Sequence, residues 1–413
     1  MKQLLILGAG TAGTMAANKL RKRLDDEWEI TVVEATSEHH YQPGYLFIPF
    51  GTYDRDDVVK PTRPLLNDEV ELIMGEVDLV DTDASAVVLD DGTRIGYDQL
   101  IIATGTHPRR DQTEGLDSDE YGSTIHDFYT LEGAMALAAK LKDWDGGRLV
   151  MNVVEMPIKC PVAPMEFLFL ADAFFTDRGI RDKVELIYAT PLDGAFTKPV
   201  AAQHLGSMLD NRNIEVETDF MTMEADTERN VLVSYDEREI PYDLLVTVPV
   251  NMGADFVERS GLGDELNHVE VDKHTFLADG HDNIFAIGDA ANLPTSKAGS
   301  VAHYAVDVFV ENFIEHIAGR PMTERFDGHA NCFVESGNGK GLLLDFNYDV
   351  EPLPGKFPVP KVGPFSLLKE TRANHAGKLG FRWIYWNMLL PGRPIPMKAD
   401  MSMTGKELED ATS

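Results

Sequence analysis

The chain has 413 residues, enough for two or three domains, and its 43% hydrophobic and 26% charged residues are ordinary for a folded protein. The 69 acidic residues outnumber the 37 basic ones, and the net charge of −32 opposes nucleic-acid binding because phosphates would be repelled. The acids are scattered along the chain, which suggests a surface adapted to high salt, where screening weakens self-repulsion.

The first 34 residues have the pattern of a strand, a tight glycine turn, a helix and a second strand. Leu4–Leu7 is a short apolar run typical of a strand buried on both faces. The next segments predict a helix over Thr14–Leu24 and a strand over Glu29–Val33, with Glu34 placed to accept hydrogen bonds from a ribose. The turn glycines allow a backbone to approach a pyrophosphate closely, and they are Gly8, Gly10 and Gly13.

A duplication is visible further along the chain. Residues 87–96 predict a β-meander that leads through Tyr-Asp into the apolar strand 99–103. Residues 231–240 lead in the same way, again through Tyr-Asp, into the apolar strand 244–248. Two nested dinucleotide-type domains explain this repeat, so we expect an α/β protein with two Rossmann-like domains.

The expected domain boundaries follow from this repeat. We assign 1–110 and 251–325 to the first dinucleotide-binding domain and 111–250 to the second. The glycine-, proline- and aromatic-rich region 326–413 is assigned to a separate C-terminal domain.

Three motifs in this order resemble the two-dinucleotide-binding-domain flavoproteins, which include disulfide reductases and type II NADH dehydrogenases. They are the first glycine turn, the Thr-Gly pair that follows the first meander, and the Gly-Asp pair that ends the strand near residue 283. The resemblance covers 1–325 and implies FAD as the cofactor. The residues that it implies for FAD binding, besides the turn glycines and Glu34, are Thr104, Gly105, Gly288 and Asp289, with Lys297 near the flavin or the quinone.

The second dinucleotide domain lacks a glycine turn. After the predicted strand Arg148–Val154, residues 155–161 contain two prolines and no glycine. Proline removes an amide donor, and without glycine the backbone cannot approach a phosphate closely. We therefore do not expect a nicotinamide nucleotide in the usual place.

The stretch Cys160–Glu166 resembles the sulfide:quinone oxidoreductases and the flavoprotein subunit of flavocytochrome c sulfide dehydrogenase. In that group two distant cysteines beside the flavin hold sulfur during turnover. Cys160 matches the first by its Cys-Pro and Ala-Pro context, and Cys332, 172 residues later, matches the second by its position. No cysteine lies between Gly105 and Lys159, where many members of the group carry a third, so a covalent flavin link there is open to question.

The resemblance implies redox chemistry at the two thiols. A disulfide accepts hydrosulfide to give a persulfide and a thiolate. We expect Lys159 to lower the pKa of Cys160 and Glu166 to act as a base. The alternative is that Cys160 and Cys332 are separate buried side chains without a redox role.

Residues 355–398 invert the charge of the chain. They hold one acid and eight basic residues among many aromatic and aliphatic ones, a pattern typical of a segment in the interface of an anionic membrane. An intramolecular or dimer contact is the alternative. The basic residues are Lys356, Lys361, Lys369, Arg372, Lys378, Arg382, Arg393 and Lys398.

The chain thus resembles an FAD-dependent sulfide:quinone oxidoreductase, and the resemblance implies that activity. No run of about 18 apolar residues and no signal peptide is found, so we expect a peripheral protein on the cytoplasmic face of the cell membrane, possible as a homo-oligomer. A soluble sulfide or persulfide dehydrogenase with a protein acceptor, and a flavin-bound redox sensor, stay open; a type II NADH dehydrogenase is less favoured. The candidate aromatic quinone ligands are Phe333, Phe346, Tyr348, Phe357 and Phe365.

Overall fold

The computed structural model describes residues 1–395 and 397–407. Its strands are β1 (Lys2–Leu7), β2 (Trp28–Glu34), β3 (Glu38–His40), β4 (Val59–Pro61), β5 (Glu71–Met74), β6 (Val77–Asp81), β7 (Ala86–Leu89), β8 (Arg94–Gly96), β9 (Gln99–Ile102), β10 (His107–Arg109), β11 (Ile125–His126), β12 (Gly147–Val153), β13 (Val184–Ala189), β14 (Ile214–Glu217), β15 (Thr222–Asp226), β16 (Val231–Ser234), β17 (Glu239–Pro241), β18 (Leu244–Val248), β19 (Val250–Met252), β20 (Ile284–Ala286), β21 (Ala330–Gly337), β22 (Lys340–Phe346), β23 (Gly355–Val359) and β24 (Gly363–Leu367). The α-helices are α1 (Thr11–Arg21), α2 (Arg55–Val58), α3 (Leu131–Asp143), α4 (Ala163–Asp177), α5 (Pro199–Asp210), α6 (Asp255–Arg259), α7 (Gly299–Ile317) and α8 (Arg372–Ile384).

The first sheet is parallel and has the order β20-β9-β1-β2-β5. Its central strand contributes Leu4–Leu7, which are fully buried, as expected of a strand covered on both faces. Helix α1 begins at Thr11, three residues before the predicted start, because Gly10 is already its N-cap. The carboxyl ends of β1, β2, β9 and β20 therefore lie at one edge, where ligands bind in open α/β sheets.

A second parallel sheet repeats this arrangement with the order β11-β18-β12-β13-β14. Helix α4 follows β12 as α1 follows β1, and it packs on the sheet through a face that is almost wholly buried. The two meanders are three-stranded antiparallel sheets, β6-β7-β8 and β15-β16-β17.

The predicted duplication is confirmed by two equivalent contacts. Asp98, after the first meander, accepts a hydrogen bond from the backbone N–H of Gln3 at 2.6 Å and so ties the meander exit to β1. Asp243, after the second meander, accepts one from the N–H of Arg148 at 2.7 Å and ties it to β12. The Tyr-Asp pair thus fixes the register at which each meander returns to its parallel sheet.

The C-terminal region forms a mixed four-stranded sheet with the order β21-β22-β24-β23. Helix α8 packs against β21 and β22 and continues into the π-helix Tyr385–Leu389. The fold class predicted from the sequence, mixed α/β with two Rossmann-like units, is confirmed. The domain boundaries stay a prediction, and position 396 and residues 408–413 of the predicted C-terminal domain lie outside the described residues.

None of the helices within 1–395 and 397–407 combines the length and the apolar composition that crossing a bilayer requires.

Candidate active site

The first glycine turn closes tightly between β1 and α1. Gly8 has a φ of +95°, and a Cβ there would lie 2.6 Å from the carbonyl oxygen of Ala103 at the end of β9. A Cβ on Gly13 would lie 1.9 Å from the carbonyl oxygen of Gly8, so helix and strand meet only because both residues are glycine. A Cβ on Gly10 would meet no atom of the described residues within 4 Å. The N-terminus of α1 thus opens into free space, as a pyrophosphate site requires.

Glu34 ends β2 beside this turn. One carboxylate oxygen accepts a hydrogen bond from the N–H of Ala9 at 2.6 Å, and the other accepts one from the N–H of Thr36 at 3.0 Å. Glu34 therefore holds the turn directly. Its contact with a ribose hydroxyl stays a prediction.

The other predicted FAD residues lie at the same edge of the sheet. Gly105 has a φ of +69°, and the buried hydroxyl of Thr104 has no hydrogen-bond partner among the described residues. A Cβ on Gly288 would meet the Cβ of Ala12 at 2.8 Å, so the Gly-Asp turn packs on the first turn of α1. Burial raises the pKa of the neighbouring Asp289 carboxyl, an effect that nearby lysines oppose. The unpaired hydroxyl of Thr104 and the acid Asp289, at the same edge of the sheet as the open N-terminus of α1, fit FAD.

Lys297 lies under the Gly-Asp turn. Its ammonium donates to the backbone carbonyls of Asp289 at 2.7 Å and Ala291 at 3.2 Å, and its side chain is 6% exposed. Burial lowers its pKa to about 8, against the opposing effect of the Asp289 carboxylate. The lysine thus braces the turn, and its predicted contact with the flavin or the quinone stays a prediction.

Cys160 stands before α4, where a second nucleotide turn would lie. It has a φ of +48°, uncommon for a residue with a side chain. Its N–H donates to the carbonyl of Lys297 at 2.6 Å, and its carbonyl accepts from the N–H of Ala163 and from the hydroxyl of Tyr129. The backbone of the first cysteine is therefore fixed to the Gly-Asp region of the first domain.

Cys332 lies on β21, opposite Leu344 of β22. The Ser300 hydroxyl, in the first turn of α7, acts to lower the pKa of the Cys332 thiol. Both cysteines are free and their side chains are partly exposed. The charges of Glu166 and Lys378 act on the pKa of both thiols, and the charge of Cys332 raises the pKa of Cys160.

A buried ion pair borders both thiols. The Glu166 carboxylate of α4 is 0% exposed and accepts a hydrogen bond from the Lys378 ammonium of α8 at 2.6 Å. It also accepts the backbone N–H of Glu335 at 2.6 Å, while Lys378 donates to the carbonyl of Phe333 at 2.8 Å. The second carboxylate oxygen of Glu166 is buried without a partner among the described residues. A buried acceptor of this kind is available to a proton from a nearby thiol.

The two charges of the ion pair shift the pKa of each thiol in opposite directions. Burial raises the pKa of Cys332 to about 11 and raises that of Cys160 further. The Glu166 carboxylate adds to this increase at both thiols, and the Lys378 ammonium opposes it. The expectation that Lys159 lowers the pKa of Cys160 is wrong, because the Lys159 ammonium donates to the side-chain oxygen of Gln42 and the effective cation is Lys378.

The ion pair continues to the surface. Glu335 is 1% exposed, and its carboxylate contacts the imidazole of His375 at 2.9 and 3.0 Å. Burial raises the pKa of Glu335, while Lys378 and His375 oppose the increase. The His375 side chain is 28% exposed, so this group links the buried carboxylates with solvent. The sequence predicted a role here for Glu166, placed Lys378 in the membrane segment instead, and gave no prediction for Glu335 or His375.

The aromatic residues predicted for a quinone fall into two groups. Phe333 and Phe365 meet edge to face at 5.0 Å between ring centroids, and Phe357 lies opposite Phe365 in the β23–β24 pair. Phe346 and Tyr348 instead pack against other rings of the interior. The rings of Phe333 and Phe365 lie beside Gly377 of α8, and Phe333 also supplies the carbonyl that Lys378 contacts. A quinone contact at any of the five residues stays a prediction.

The basic residues of 355–398 also fall into two groups, those that make interior contacts and those that are exposed. Lys378 points inward to Glu166, and Arg382 forms an ion pair with Asp57 and stacks on the ring of Tyr53 at 4.4 Å. These two cations serve intramolecular contacts, so their assignment to a membrane surface is wrong. The basic residues that are exposed are Lys361, Lys369, Arg372, Arg393 and Lys398.

Comparison with known proteins places the chain among flavoprotein oxidoreductases. Residues 2–151 match the family described as Pyridine nucleotide-disulphide oxidoreductase. The mitochondrial sulfide:quinone oxidoreductase of Mus musculus is 26% identical over 397 residues, which cover 94% of this chain and 86% of the relative. A type II NADH:quinone oxidoreductase of Staphylococcus aureus is 26% identical over 385 residues, which cover 86% of this chain and 92% of the relative.

A solved structure shows the same fold over nearly the whole chain. The sulfide:quinone oxidoreductase of Aquifex aeolicus superposes with a TM-score of 0.79 and 21% identity, covering 95% of this chain and 92% of that chain. The resemblance predicted from the sequence is therefore confirmed. This chain is an FAD-dependent oxidoreductase and a homologue of the sulfide:quinone oxidoreductases.

Proposed function

We propose that the protein oxidises sulfide through Cys160 and Cys332 and delivers the electrons, by way of FAD, to a membrane quinone. The observation that carries this proposal is the buried Glu166–Lys378 ion pair, which acts on the pKa of both thiols. The pair is hydrogen-bonded to the backbone of β21 beside Cys332, and its carboxylate lies on the helix that follows Cys160. The sulfide:quinone oxidoreductases among its relatives support the choice of substrates.

The sulfur chemistry begins at the oxidised form of this pair. Hydrosulfide attacks one sulfur of a Cys160–Cys332 disulfide, which breaks the S–S bond and leaves a persulfide on one cysteine and a thiolate on the other. A second hydrosulfide takes the outer sulfur of the persulfide as hydrodisulfide, the shortest polysulfide, and leaves a thiol. The thiol and thiolate then lose two electrons and one proton as the disulfide forms again.

The overall reaction releases a proton where sulfide is oxidised and takes up protons where the quinone is reduced. Two hydrosulfide ions yield one hydrodisulfide ion, one proton and two electrons, and reduction of the quinone to a quinol consumes two electrons and two protons. FAD, when bound, supplies the two-electron carrier between the thiols and the quinone. Glu166 accepts the proton of the thiol at its unpaired oxygen, while the Lys378 ammonium stabilises the thiolate that results.

Two exposed features support peripheral membrane binding. The turn of the β23–β24 hairpin exposes Val362 by 76% and Val359 by 50%, with Lys361 between them. Trp383 on α8 is 62% exposed. Exposed apolar side chains beside cations favour the interface of an anionic bilayer. Binding there, residence on the cytoplasmic face, oligomeric state and adaptation to high salt stay predictions.

Replacement of either cysteine tests the sulfur chemistry. We expect Cys160→Ser and Cys332→Ser each to abolish sulfide-dependent reduction of a short-chain quinone, because neither disulfide nor persulfide exchange can then occur. FAD content, measured from flavin absorbance, should stay at the wild-type level because the glycine turn is unchanged. A variant that retains FAD and the wild-type rate would show that the thiols do not carry the reaction.

Vesicle binding tests the membrane contact. We expect Trp383→Ala combined with Val362→Ser to release the protein from anionic phospholipid vesicles in a sedimentation assay. Lys340→Ser, an exposed position on β22 outside the proposed surface, is the matched control. Equal sedimentation of the double variant and the wild type would remove these residues from the membrane contact.

A further inference from the structure

The end of the chain is fixed along the first helix of the FAD-binding unit. The segment 385–392 follows α8 and begins with the π-helix. Asn18 of α1 and Lys22, the C-cap of that helix, donate hydrogen bonds to backbone carbonyls of this segment at 2.7 and 2.6 Å. At the first turn of α1, Thr11 is hydrogen-bonded to the hydroxyl of Tyr385 at 2.8 Å. Segment 385–392 therefore contacts α1 from the first residue of the helix, Thr11, to its C-cap, Lys22.

The hydroxyl of Tyr385 belongs to a chain of hydrogen bonds with one defined direction. The Nδ1 of His39 lies 2.8 Å from the carbonyl oxygen of Ala9, which only accepts, so Nδ1 carries the proton. Burial keeps the imidazole neutral by lowering its pKa to about 4, so Nε2 accepts from the Tyr385 hydroxyl at 2.6 Å. The tyrosine oxygen then accepts the proton of Thr11.

This series of hydrogen bonds ends at Ala9, which lies between Gly8 and Gly10 of the glycine turn. The carbonyl of Ala9 accepts from His39 and also from the hydroxyl of Thr14 at 2.8 Å. The N–H of Ala9 donates to Glu34. Side chains from β2, β3 and α1 thus satisfy both backbone polar groups of Ala9, and Tyr385 orients the histidine among them. Tyr385 lies 374 residues beyond Thr11, so this contact joins the glycine turn to a distant part of the chain.

We infer that Tyr385 is a positioning residue for the FAD-binding turn, and that FAD binding and docking of segment 385–392 stabilise each other. A turn held in its bound shape loses less conformational freedom when FAD binds. By thermodynamic linkage, bound FAD must then strengthen the docking of the segment by the same factor. Only FAD binding, and not the substrates proposed above, is needed for this coupling.

Release of FAD from the holoenzyme tests the first half of the coupling. Tyr385→Phe removes one hydroxyl and leaves Nε2 of the buried His39 without a donor, so we expect FAD to leave about three to ten times faster, as flavin fluorescence after dilution would show. Tyr235→Phe, on an exposed side chain of the second meander, is the matched control and should release FAD at the wild-type rate. An unchanged rate in Tyr385→Phe would overturn the inference.

Hydrogen exchange tests whether bound FAD strengthens the docking of segment 385–392, and the main comparison uses the wild-type protein. In the wild-type full chain, we expect FAD to slow amide exchange in 385–392 at least threefold relative to the flavin-stripped protein. The same comparison in Tyr385→Phe should show a smaller effect. Equal exchange with and without FAD in the wild-type protein would overturn the coupling. An FAD effect in Tyr385→Phe as large as that in the wild type would show that the tyrosine does not carry it.

Discussion

The Glu166–Lys378 ion pair predicts the direction in which the pKa of Cys332 shifts when one of its charges is removed. Glu166→Gln removes the negative charge that raises the pKa of Cys332, while the amide oxygen of glutamine still accepts from the Lys378 ammonium and the backbone N–H of Glu335. The positive charge of Lys378 then acts on the thiol without the opposing charge of Glu166. We expect the pKa of Cys332 to fall.

The size of the effect follows from the burial of the pair. Glu166 is 0% exposed and Lys378 is 13% exposed, so solvent and salt screen them little. A charge close to a titrating group shifts its pKa by about 1 to 3 units. The Cys332 pKa of about 11 leaves about one thiol in a thousand ionised at pH 8. A decrease of one unit raises the thiolate fraction about tenfold.

The assay is alkylation by iodoacetamide at pH 8 in a Cys160→Ser background, so that Cys332 is the single thiol of the chain. We expect Glu166→Gln to speed alkylation about tenfold, because the thiolate is the nucleophile. The double variant Glu166→Gln with Lys378→Met should return towards the background rate. Lys369→Met, on an exposed lysine of the same region, is the matched control and should leave the rate unchanged.

Alkylation that is unchanged or slower in Glu166→Gln would refute the reasoning. It would mean that the carboxylate does not act on Cys332 as an anion. A double variant that stays as fast as Glu166→Gln would show that Lys378 contributes nothing to the thiolate.

Two further predictions concern packing and pH. Gly377→Ala places a Cβ 2.7 Å from the rings of Phe333 and Phe365, so we expect the KM for quinone to rise several-fold. Gly380→Ala is the control, because a Cβ there meets no described atom within 4 Å, and it should leave the KM unchanged. Equal KM values in the two variants would contradict the quinone assignment. The folded-state pKa of His39, about 4, lies below its unfolded value of about 6.5, so the unfolded chain binds a proton first as pH falls. The free energy of unfolding, measured in urea, should therefore decrease between these pH values, less steeply in His39→Asn; identical slopes would contradict this.

Much of the first domain was predictable because local sequence determines it. The glycine turn and the two Tyr-Asp exits each use residues next to one another in the chain, and their physical demands allow few residue types. Cys160 and Cys332 were also predicted, because a chain with two cysteines offers one pair. Their pairing as a redox couple stays a prediction.

The cation beside the thiols was missed for a physical reason. A charge count over 355–398 sums lysines that face solvent with Lys378, which faces a buried carboxylate. Helical spacing held a usable signal, because Asn374, Lys378 and Tyr385 recur on one face of α8 and its π-helical extension, and all three make interior hydrogen bonds. His39 left no such signal, since its partner is 346 residues away.

Anaerobic mixing of the purified protein with sulfide in a stopped-flow spectrometer tests the central claim most directly. If the two thiols feed electrons to the flavin, its absorbance near 450 nm should bleach with sulfide at a rate sufficient for turnover with quinone, and NADH should bleach it far more slowly or leave it oxidised. Rapid bleaching by NADH together with none by sulfide would contradict the account and would favour a type II NADH dehydrogenase.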